Sequence, residues 1–582
     1  MIKKLLKSVR EYKICTLLTP LLVACEAALD VLIPYLMANI LDKGIKASDM
    51  GYTWRMGVVL VFVCILALLF GMLSGVTAAK ASTGFASNLR HDMYYRIQNY
   101  SFSNIDKFSP ASIVTRLTTD VNHVQNAFQM ITRVAVRAPL MLIFAVSMSF
   151  TVDSKLPFIF LCVIPILGGG LLLVIKFAHP IFEKVFKLYD KLNNVVAENL
   201  HGIRVVKSFV REEHEKKKFG KVSGDIYESF SKAEKILAFN SPLMQFSMYT
   251  CIILISWFSA HIIVASGDNA EIGMSTGQLM TLISYASQIL MSLMMLSFIF
   301  VMVTISRASA ERIIEVLDEN SDIVCLRQYP VTEVKDGSIS FENVDFSYAK
   351  DPNKLCLSGV NLEIKSGETV GIIGGTGTSK STLIHLIPRL YDATNGTVRV
   401  GGVDVRDYDL QALREEVSVV LQKNVLFSGT IMENLRWGKA DATIEEIKHV
   451  CRLACADEFV ETFPDRYNTY IEQGGANVSG GQKQRLCIAR ALLKKPKILI
   501  LDDSTSAVDT ATDAKIRKAF REEIPDTTKI IIAQRISSVQ DADKIIVLDE
   551  GRVNDVGTHE ELLARNEIYR EVYTSQKKGA ME

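Results

Sequence analysis

Six apolar segments, each long enough to cross a lipid bilayer, constrain this chain most strongly, and all of them lie in its first half. A membrane-spanning helix needs about 20 predominantly apolar residues. Segments of this kind fall at roughly 16–41, 56–79, 135–152, 156–178, 241–265 and 276–304. We therefore expect an α-helical six-span transmembrane domain over residues 1–315, with both of its ends on the same side of the membrane.

The distribution of lysine and arginine predicts which side that is. Basic residues are dense in the first 13 residues and in the connections near 80–133 and 179–240, whereas the loop "SGDNAEIG" carries two acids and no base. By the positive-inside rule, the N-terminus and the long connections are cytoplasmic in a multi-pass protein surrounded by membrane lipid. The net charge of +1 gives no argument for nucleic acid as a partner.

The character of the sequence changes after the last apolar segment. Residues 316–336 resemble a linker, and residues 337–575 contain short β-like runs, glycine turns and helical patterns typical of a soluble α/β domain. Residues 576–582 form a tail. The sequence thus predicts a membrane domain followed by an α/β P-loop domain.

The segment "VGIIGGTGTSKSTLIHLI" carries the strongest motif of the second domain. In the pattern G-x-x-x-x-G-K-[ST], backbone N–H groups wrap phosphate oxygens, the lysine reaches the β- and γ-phosphates, and the hydroxyl joins a Mg²⁺ shell. Lys380 and Ser381 take the last two roles. The predicted phosphate-binding residues are Gly374, Gly375, Thr376, Gly377, Thr378, Ser379, Lys380, Ser381 and Thr382.

Two further segments complete the phosphate chemistry. In "KILILDDSTSAVD", an apolar strand ends at Asp502, a carboxylate placed to hold Mg²⁺. In "NVSGGQKQRLCIARALL", Ser479, Gly480 and Gly481 begin a helix whose free N–H groups form an anion site. Two phosphate-directed helix ends in one domain indicate head-to-tail pairing, in which each subunit closes the nucleotide of the other.

The combination of "GGTGTSKST", "VSGGQ" and "LILDD" behind six spans resembles the ATP-binding cassette (ABC) proteins, as a half-transporter of the type IV exporter class. The resemblance implies ATP and Mg²⁺ as cofactors, and long connections that act as coupling helices, with "GIRVVKSF" in the second of them. It also implies individual roles. Tyr348 would stack on adenine, Gln422 would contact Mg²⁺ and the attacking water, and Gln482 would complete the signature, while Ser506 to Asp509 would communicate across the dimer.

Three positions depart from the family pattern in the same pocket. Asp503 stands where a catalytic glutamate is usual, Gln534 replaces the switch histidine, and Ser379 replaces a glycine. Aspartate is one methylene shorter than glutamate, and a general base must approach its water to about 2.6–3.2 Å. Glutamine cannot titrate or carry a positive charge. We expect a pocket that binds ATP and hydrolyses it poorly; neutral drift in a working enzyme is the alternative.

The signature "VSGGQ" keeps its core, with Val478 in place of the usual leucine. An intact signature beside an altered pocket predicts an asymmetric pair, in which a second half-transporter supplies the glutamate and the histidine. This arrangement resembles the degenerate-site subunit of the heterodimeric bacterial multidrug exporters. The resemblance implies a bacterial plasma membrane as the location, with the nucleotide-binding domain in the cytoplasm.

Glu26 and Asp30 lie four residues apart in the first span, on one helix face. Acids inside a membrane are costly and often functional, so they are candidates for lining a cavity that favours cationic amphiphiles. Pairing with a basic or hydroxyl group on a neighbouring helix is the equally weighted alternative. Met295 and Phe298 are candidates for an adaptable apolar surface, although ordinary helix packing explains such residues as well.

The leading functional hypothesis is an ATP-driven exporter subunit for drugs or other hydrophobic or amphiphilic small molecules. Lipid or peptide export is the alternative within transport. A non-transporting regulatory membrane protein that uses ATP only as a ligand is the alternative from another class. Soluble DNA-repair ATPases share the cassette but lack the spans, which excludes them.

Overall fold

The computed structural model describes residues 1–268, 273–325, 327–375, 377–504 and 507–579. The chain divides into two compact units. The membrane unit comprises Met1–Asn99 and Ser109–Glu319, and the nucleotide unit comprises Tyr100–Phe108 and Asn320–Glu582. The nucleotide unit therefore includes a short segment from the first long connection between spans.

Long helices build the membrane unit. Within the described residues, six helical stretches are long and apolar enough to cross a membrane, as predicted: Ile2–Ile45, Met50–Gln98, Pro110–Val152, Phe158–His201, Glu212–Ser266 and Thr276–Asp318. The α-helices up to the end of the last stretch are α1 (Ile2–Leu5), α2 (Lys13–Asn39), α3 (Met50–Gln98), α4 (Phe102–Lys107), α5 (Pro110–Thr115), α6 (Val121–Val152), α7 (Phe158–His201), α8 (Ile203–Ser208), α9 (Glu212–Leu237), α10 (Asn240–Ser266) and α11 (Thr276–Asp318).

These helices run well past the apolar segments of the sequence. Helix α3 begins at Met50, where the Asp49 side chain accepts a hydrogen bond from the Tyr52 N–H at 2.9 Å, and it continues to Gln98. Helix α11 begins with a capping box between Ser275 and Gln278. Hydropathy measures only the part of a helix that lies in lipid, so it cannot show these extensions.

The core of the membrane unit lies between α2, α6 and α11. Ala27, Ala145 and Ala286 are fully buried there, and small residues allow membrane helices to approach closely. The buried Tyr285 hydroxyl donates to the Val31 carbonyl at 3.0 Å. Helix α11 is thus held against α2 by both packing and a hydrogen bond.

The nucleotide unit is built on strands of two main sheets. Its strands are β1 (Ile339–Phe346), β2 (Leu357–Ile364), β3 (Thr369–Gly374), β4 (Asn395–Val400), β5 (Val403–Asp404), β6 (Val417–Val420), β7 (Gly429–Thr430), β8 (Tyr470–Ile471), β9 (Ile498–Asp502), β10 (Thr528–Ile532), β11 (Lys544–Asp549) and β12 (Arg552–Gly557). One sheet has the order β2-β1-β4-β5, and the larger has the order β12-β11-β3-β10-β9-β6.

Helices cover the larger sheet. They are α12 (Lys380–His385), α13 (Leu410–Glu416), α14 (Ile431–Arg436), α15 (Ile444–Leu453), α16 (Asp457–Val460), α17 (Gly480–Leu492), α18 (Thr510–Glu523), α19 (His559–Arg565) and α20 (Glu567–Gly579). All five residues of β9 and of β10 are buried, which explains the apolar runs Ile498–Leu501 and Ile530–Ile532.

The register of the parallel strands positions the functional site. Strand β10 pairs in parallel with both β3 and β9, and Ile532 lies opposite Ile372 on one side and Asp502 on the other. The carboxyl ends of these strands therefore meet at one edge of the sheet. Ligands of open α/β sheets bind at that edge.

Candidate nucleotide site

The two acids of the sequence motif lie where β9 ends. Asp502 is the last residue of the strand and is 3% exposed. Asp503 follows in the left-handed region, with φ of 49°, and its N–H donates to the Ile532 carbonyl at 3.0 Å. This bend lets two consecutive carboxylates leave the strand end in different directions.

The predicted phosphate loop joins β3 to α12. Gly377 has φ of 85°, and a Cβ there would meet nothing within 4 Å, so the backbone is open on that side. The Lys380 ammonium donates to the carbonyls of Gly374 at 3.0 Å and Gly375 at 2.7 Å, while the Thr378 hydroxyl donates to Gly375 at 2.9 Å. The Lys380 ammonium therefore lies over the loop that is predicted to bind phosphate. Thr376 lies outside the described residues.

Ser379 occupies a strained position in this loop. Its φ of 66° and ψ of 26° are left-handed, a conformation that glycine adopts without cost and other residues adopt at about 1 kcal/mol or more. The glycine of the family pattern would fit this backbone better. Serine at this position strains the loop where the chain enters α12.

The residues predicted to hold Mg²⁺ converge. The Ser381 hydroxyl donates to Asp502 Oδ1 at 3.1 Å, which brings a hydroxyl and a carboxylate oxygen together beside the phosphate loop. Both are the hard oxygen ligands that Mg²⁺ prefers. Burial raises the pKa of Asp502, and the Ser381 hydrogen bond opposes that rise.

Mg²⁺ usually takes one or two protein oxygens and completes its shell with water and substrate phosphates. Among the described residues, no cluster of three or more His, Cys, Asp or Glu side chains is arranged to hold a metal. The pair of Ser381 and Asp502 therefore fits a magnesium–nucleotide complex better than a metal held by protein alone.

Three residues predicted to act in hydrolysis lie together around Asp503. The Gln534 amide donates to Asp503 Oδ2 at 2.8 Å, and the Gln422 side chain also hydrogen bonds to Asp503. Burial is the main cause that raises the pKa of Asp503; the Gln422 bond opposes it, and Asp502 adds to it. A raised pKa alone would make Asp503 a better general base. Its short side chain and its neutral partner Gln534 are therefore the features expected to limit hydrolysis.

The C-terminal helix α20 holds the Gln534 backbone in place. The Gln576 amide donates to the Gln534 carbonyl at 2.7 Å, and its oxygen accepts from the Ile536 N–H at 2.9 Å. Sequence reasoning missed Gln576, because a polar residue on an amphipathic terminal helix carries no motif. These two hydrogen bonds attach the loop after β10 to helix α20.

Tyr348, predicted to stack on adenine, lies beside the helix that follows the phosphate loop. Its hydroxyl is 3.1 Å from the Thr382 hydroxyl, and its ring packs edge-on against Phe346 and Tyr391, with centroids 4.8 and 5.2 Å away. The residue is 49% exposed, so part of its surface is free for a flat ligand.

Tyr391 connects this aromatic group to helix α4. Its hydroxyl donates to Asp106 Oδ2 at 2.6 Å. Ser101 and Ser103 at the start of α4 donate to Asp322 at 2.6 and 2.7 Å. Burial raises the pKa of Asp322, but hydrogen bonds from Ser101, Lys350 and Ser103 outweigh that effect and hold it at about 2. Helix α4 is therefore hydrogen bonded to Tyr391, which packs against Tyr348, the residue predicted to stack on adenine.

The signature residues start α17. Ser479 and Gln482 cap each other: the Gln482 N–H donates to Ser479 Oγ at 3.3 Å, and the Ser479 N–H donates to Gln482 Oε1 at 2.9 Å. Ser479 and Gly480 are exposed, and within the described residues no hydrogen bond joins them to the phosphate loop. They are accessible to a ligand held by another chain.

Gly481, the second glycine of the signature, has no room for a side chain. A Cβ on Gly481 would lie 2.8 Å from the Ala507 carbonyl oxygen. Asp509 caps α18 by accepting from the Thr512 N–H at 2.9 Å, and that hydrogen bond lowers its pKa. Ser506, predicted to communicate across the dimer, lies outside the described residues.

In the membrane unit, Glu26 and Asp30 share one basic partner. Arg137 on α6 lies 2.8 Å from Glu26 Oε1 and 2.7 Å from Asp30 Oδ2, and the Ser74 hydroxyl donates to Glu26 Oε2 at 3.2 Å. This is the pairing that the sequence left as an alternative to a cavity. Met295 and Phe298 on α11 have exposed side chains, whereas Glu26 is buried.

Comparisons with known proteins agree with the geometry. A family model described as the ABC transporter transmembrane region matches residues 16–293, and one described as ABC transporter matches residues 357–506. The uncharacterized ABC transporter ATP-binding protein YfiB of Bacillus subtilis is 36% identical over 99% of this chain and 98% of its own length. An ATP-dependent lipid A-core flippase of Desulfotalea psychrophila is 28% identical over 99% of both chains.

The fold has a solved counterpart. The structure of a bacterial Atm1-family ABC exporter with ATP bound superposes with a TM-score of 0.82 at 22% identity, covering 98% of this chain and 99% of that one. The likeness confirms six membrane helices followed by a nucleotide-binding domain in the type IV exporter arrangement. The chain belongs to the ABC transporter family, as an exporter-type half-transporter that binds ATP and acts as an ATP-dependent membrane transporter.

Proposed function

We propose that this chain is the degenerate-site subunit of an asymmetric ABC exporter. Its own pocket binds ATP with Mg²⁺ and hydrolyses it weakly, while its signature completes the active pocket of a different half-transporter. The proposal places the N-terminus and the nucleotide unit in the cytoplasm of a bacterial cell and gives the exporter hydrophobic or amphiphilic substrates.

The observation that carries the proposal is the cluster around Asp503. Its carboxylate is held by the amides of Gln422 and Gln534, one of them at 2.8 Å, in the place where a longer acid and an imidazole would act. A misplacement of about 1 Å can lower a rate about 100-fold. An amide can donate to a phosphate but cannot gain or lose a proton near neutral pH.

The other half of the proposal rests on intact phosphate-binding parts. Lys380 lies over the phosphate loop and Ser381 contacts Asp502, which supports binding of a magnesium–nucleotide complex. The exposed start of α17, with its capping box, keeps a well-formed helix end for a nucleotide held by the partner. Two of the three departures, Asp503 and Gln534, fall on hydrolytic residues, and the third, Ser379, leaves Lys380, Ser381 and Asp502 in place to hold a nucleotide.

Transport into vesicles, with and without a second half-transporter that carries the glutamate and the histidine, tests this function. ATP-dependent uptake of a fluorescent amphiphile only in the presence of both chains supports the proposal. Equal uptake by this chain alone would indicate a slow homodimer. Tight ATP binding without flux in either preparation would indicate a regulatory protein.

A further inference from the structure

The charged cluster of α2, α3 and α6 contains one more cation than its ion pairs use. Arg137 contacts both Glu26 and Asp30, so those two carboxylates already have a guanidinium between them. One turn earlier on α6, Arg133 donates to the Gly71 carbonyl at a long 3.4 Å. Among the residues that the structure describes, Arg133 has no carboxylate within ion-pair distance.

Helix α3 faces these charges with backbone instead of side chains. A Cβ on Gly71 would lie 3.2 Å from Glu26 Oε1, and a Cβ on Gly75 would lie 3.6 Å from a guanidinium nitrogen of Arg133. The two glycines lie one turn apart and leave room beside both charged groups. Larger residues at these positions would crowd the cluster.

The depth of Arg133 suits a ligand that sits in one leaflet. At 1.5 Å per residue, Arg137 lies about 22 Å and Arg133 about 28 Å along α6 from its end at Val152. A bilayer core is about 30 Å thick, so Arg133 reaches the polar boundary opposite that end while Arg137 stays within the apolar layer. In the proposed orientation, that boundary belongs to the cytoplasmic leaflet.

We infer that Arg133, supported by Arg137, binds the phosphate or carboxylate group of an anionic amphiphile that enters from the cytoplasmic leaflet. A guanidinium presents donors in a planar fork that matches these anions, and Arg133 uses few of its donors within the protein. Arg137 contacts both acids and balances one of their two negative charges, and Arg133 balances the other, so a cationic amphiphile meets no net negative charge in this group. The inference deepens the proposed export function, on which it rests, and reverses the expected preference for cations.

Equilibrium dialysis on the full chain in phosphatidylcholine nanodiscs, without nucleotide, tests the inference. The probes are radiolabelled dodecyl phosphate, dodecyltrimethylammonium and inorganic phosphate, each corrected for uptake by empty nanodiscs. We expect dodecyl phosphate to bind more tightly than the cation and inorganic phosphate not to bind. Arg133→Gln should weaken dodecyl phosphate binding about tenfold or more, and Arg133→Lys should recover part of it.

Arg55 provides a matched control. It also donates to a backbone carbonyl, that of Gly51 at 3.3 Å, but it is exposed near the start of α3. Arg55→Gln should leave binding unchanged. Unchanged dodecyl phosphate binding in Arg133→Gln, tighter binding of the cation than of the anion, or equal binding of inorganic phosphate would each overturn the inference.

This experiment separates the inference from the proposed function. Binding without nucleotide does not depend on which pocket hydrolyses ATP. Arg133-dependent binding in a chain that shows no asymmetric, ATP-driven transport would reject the proposed function alone. ATP-driven transport together with unaltered binding in Arg133→Gln would reject the anion site alone.

Discussion

Two pairs of neighbouring acids, one in each unit, have opposite surroundings. Asp502 and Asp503 meet a hydroxyl and neutral amides, whereas Glu26 and Asp30 meet the guanidinium of a single arginine. The Ser381 and Gln534 partners of the first pair are neutral, which suits the proposed roles in holding a metal and orienting water. The second pair is ion-paired within the protein, because an unpaired acid inside a membrane is costly. The two pairs thus differ in the type of partner, neutral groups in one and a cation in the other.

The largest effect is expected from removing the arginine. Arg137→Gln leaves Glu26 and Asp30 without a counter-charge, and breaking a buried ion pair costs about 3–5 kcal/mol. Because the Arg137 side chain is one-third exposed, we expect a loss of about 2–4 kcal/mol, seen as a lower thermal unfolding midpoint in detergent. Glu26→Gln/Asp30→Asn/Arg137→Gln should recover part of the loss. Arg137→Gln as stable as the parent protein would show that these ion pairs do not stabilise the membrane unit.

The next effect concerns Asp503 of the nucleotide unit. Asp503→Glu combined with Gln534→His restores the length of the base and a titratable switch. We expect ATP turnover at this pocket to rise about 10–100-fold, because the carboxylate can then reach a water about 1 Å further out. ATPase assays in a complex whose partner glutamate is replaced by glutamine isolate this pocket. Asp503→Asn, which has the same length but no carboxylate, should show no gain.

The two acid pairs also show what the sequence could predict. The nucleotide site follows from local order, since each motif lies at the end of a strand or the start of a helix, and parallel pairing brings those ends together. The membrane cluster depends on Arg137, which lies far along the chain from Glu26 at the edge of a predicted span. Hydropathy finds the span but not the rotation of one helix against another.

A similar limit applies to the docked helix α4. Its sequence, "FSNIDK", has no motif, and Tyr391 follows the phosphate loop without belonging to it. Their contact depends on tertiary packing within the nucleotide unit, to which α4 belongs. The sequence predicts that the long connections between spans act as coupling helices, but not which residues hold them.

A third acid, Asp106, is exposed and accepts a hydrogen bond from the neutral hydroxyl of Tyr391. Tyr391→Phe removes the hydroxyl that donates to it, and burial together with Asp106 raises the pKa of Tyr391, so the phenol stays protonated and able to donate. We expect α4 to be destabilised by about 1 kcal/mol. Hydrogen exchange over residues 102–107 should become about fivefold faster. Tyr329→Phe, at an exposed linker position, is the control; equal exchange in both would contradict this role.

The smallest effect is expected at the phosphate loop. Ser379→Gly removes the left-handed strain of a residue with φ of 66° but adds backbone entropy to the unfolded chain, for a net gain of about 0.5 kcal/mol. Chemical unfolding of the full chain measures it. Ser358→Gly, in strand β2, should instead destabilise by about 0.5–1 kcal/mol, because glycine weakens a strand. Destabilisation by Ser379→Gly would show that the serine side chain supports the loop.

ATPase turnover of the complex with the proposed partner tests whether one pocket hydrolyses ATP while the pocket of this chain mainly binds it. One preparation carries Asp503→Ala in this chain, and the other carries alanine at the catalytic glutamate of the partner. We predict that Asp503→Ala leaves turnover nearly unchanged, whereas the partner substitution lowers it to near background. Equal losses in the two preparations would show that this pocket hydrolyses ATP as a full active site and would contradict the account.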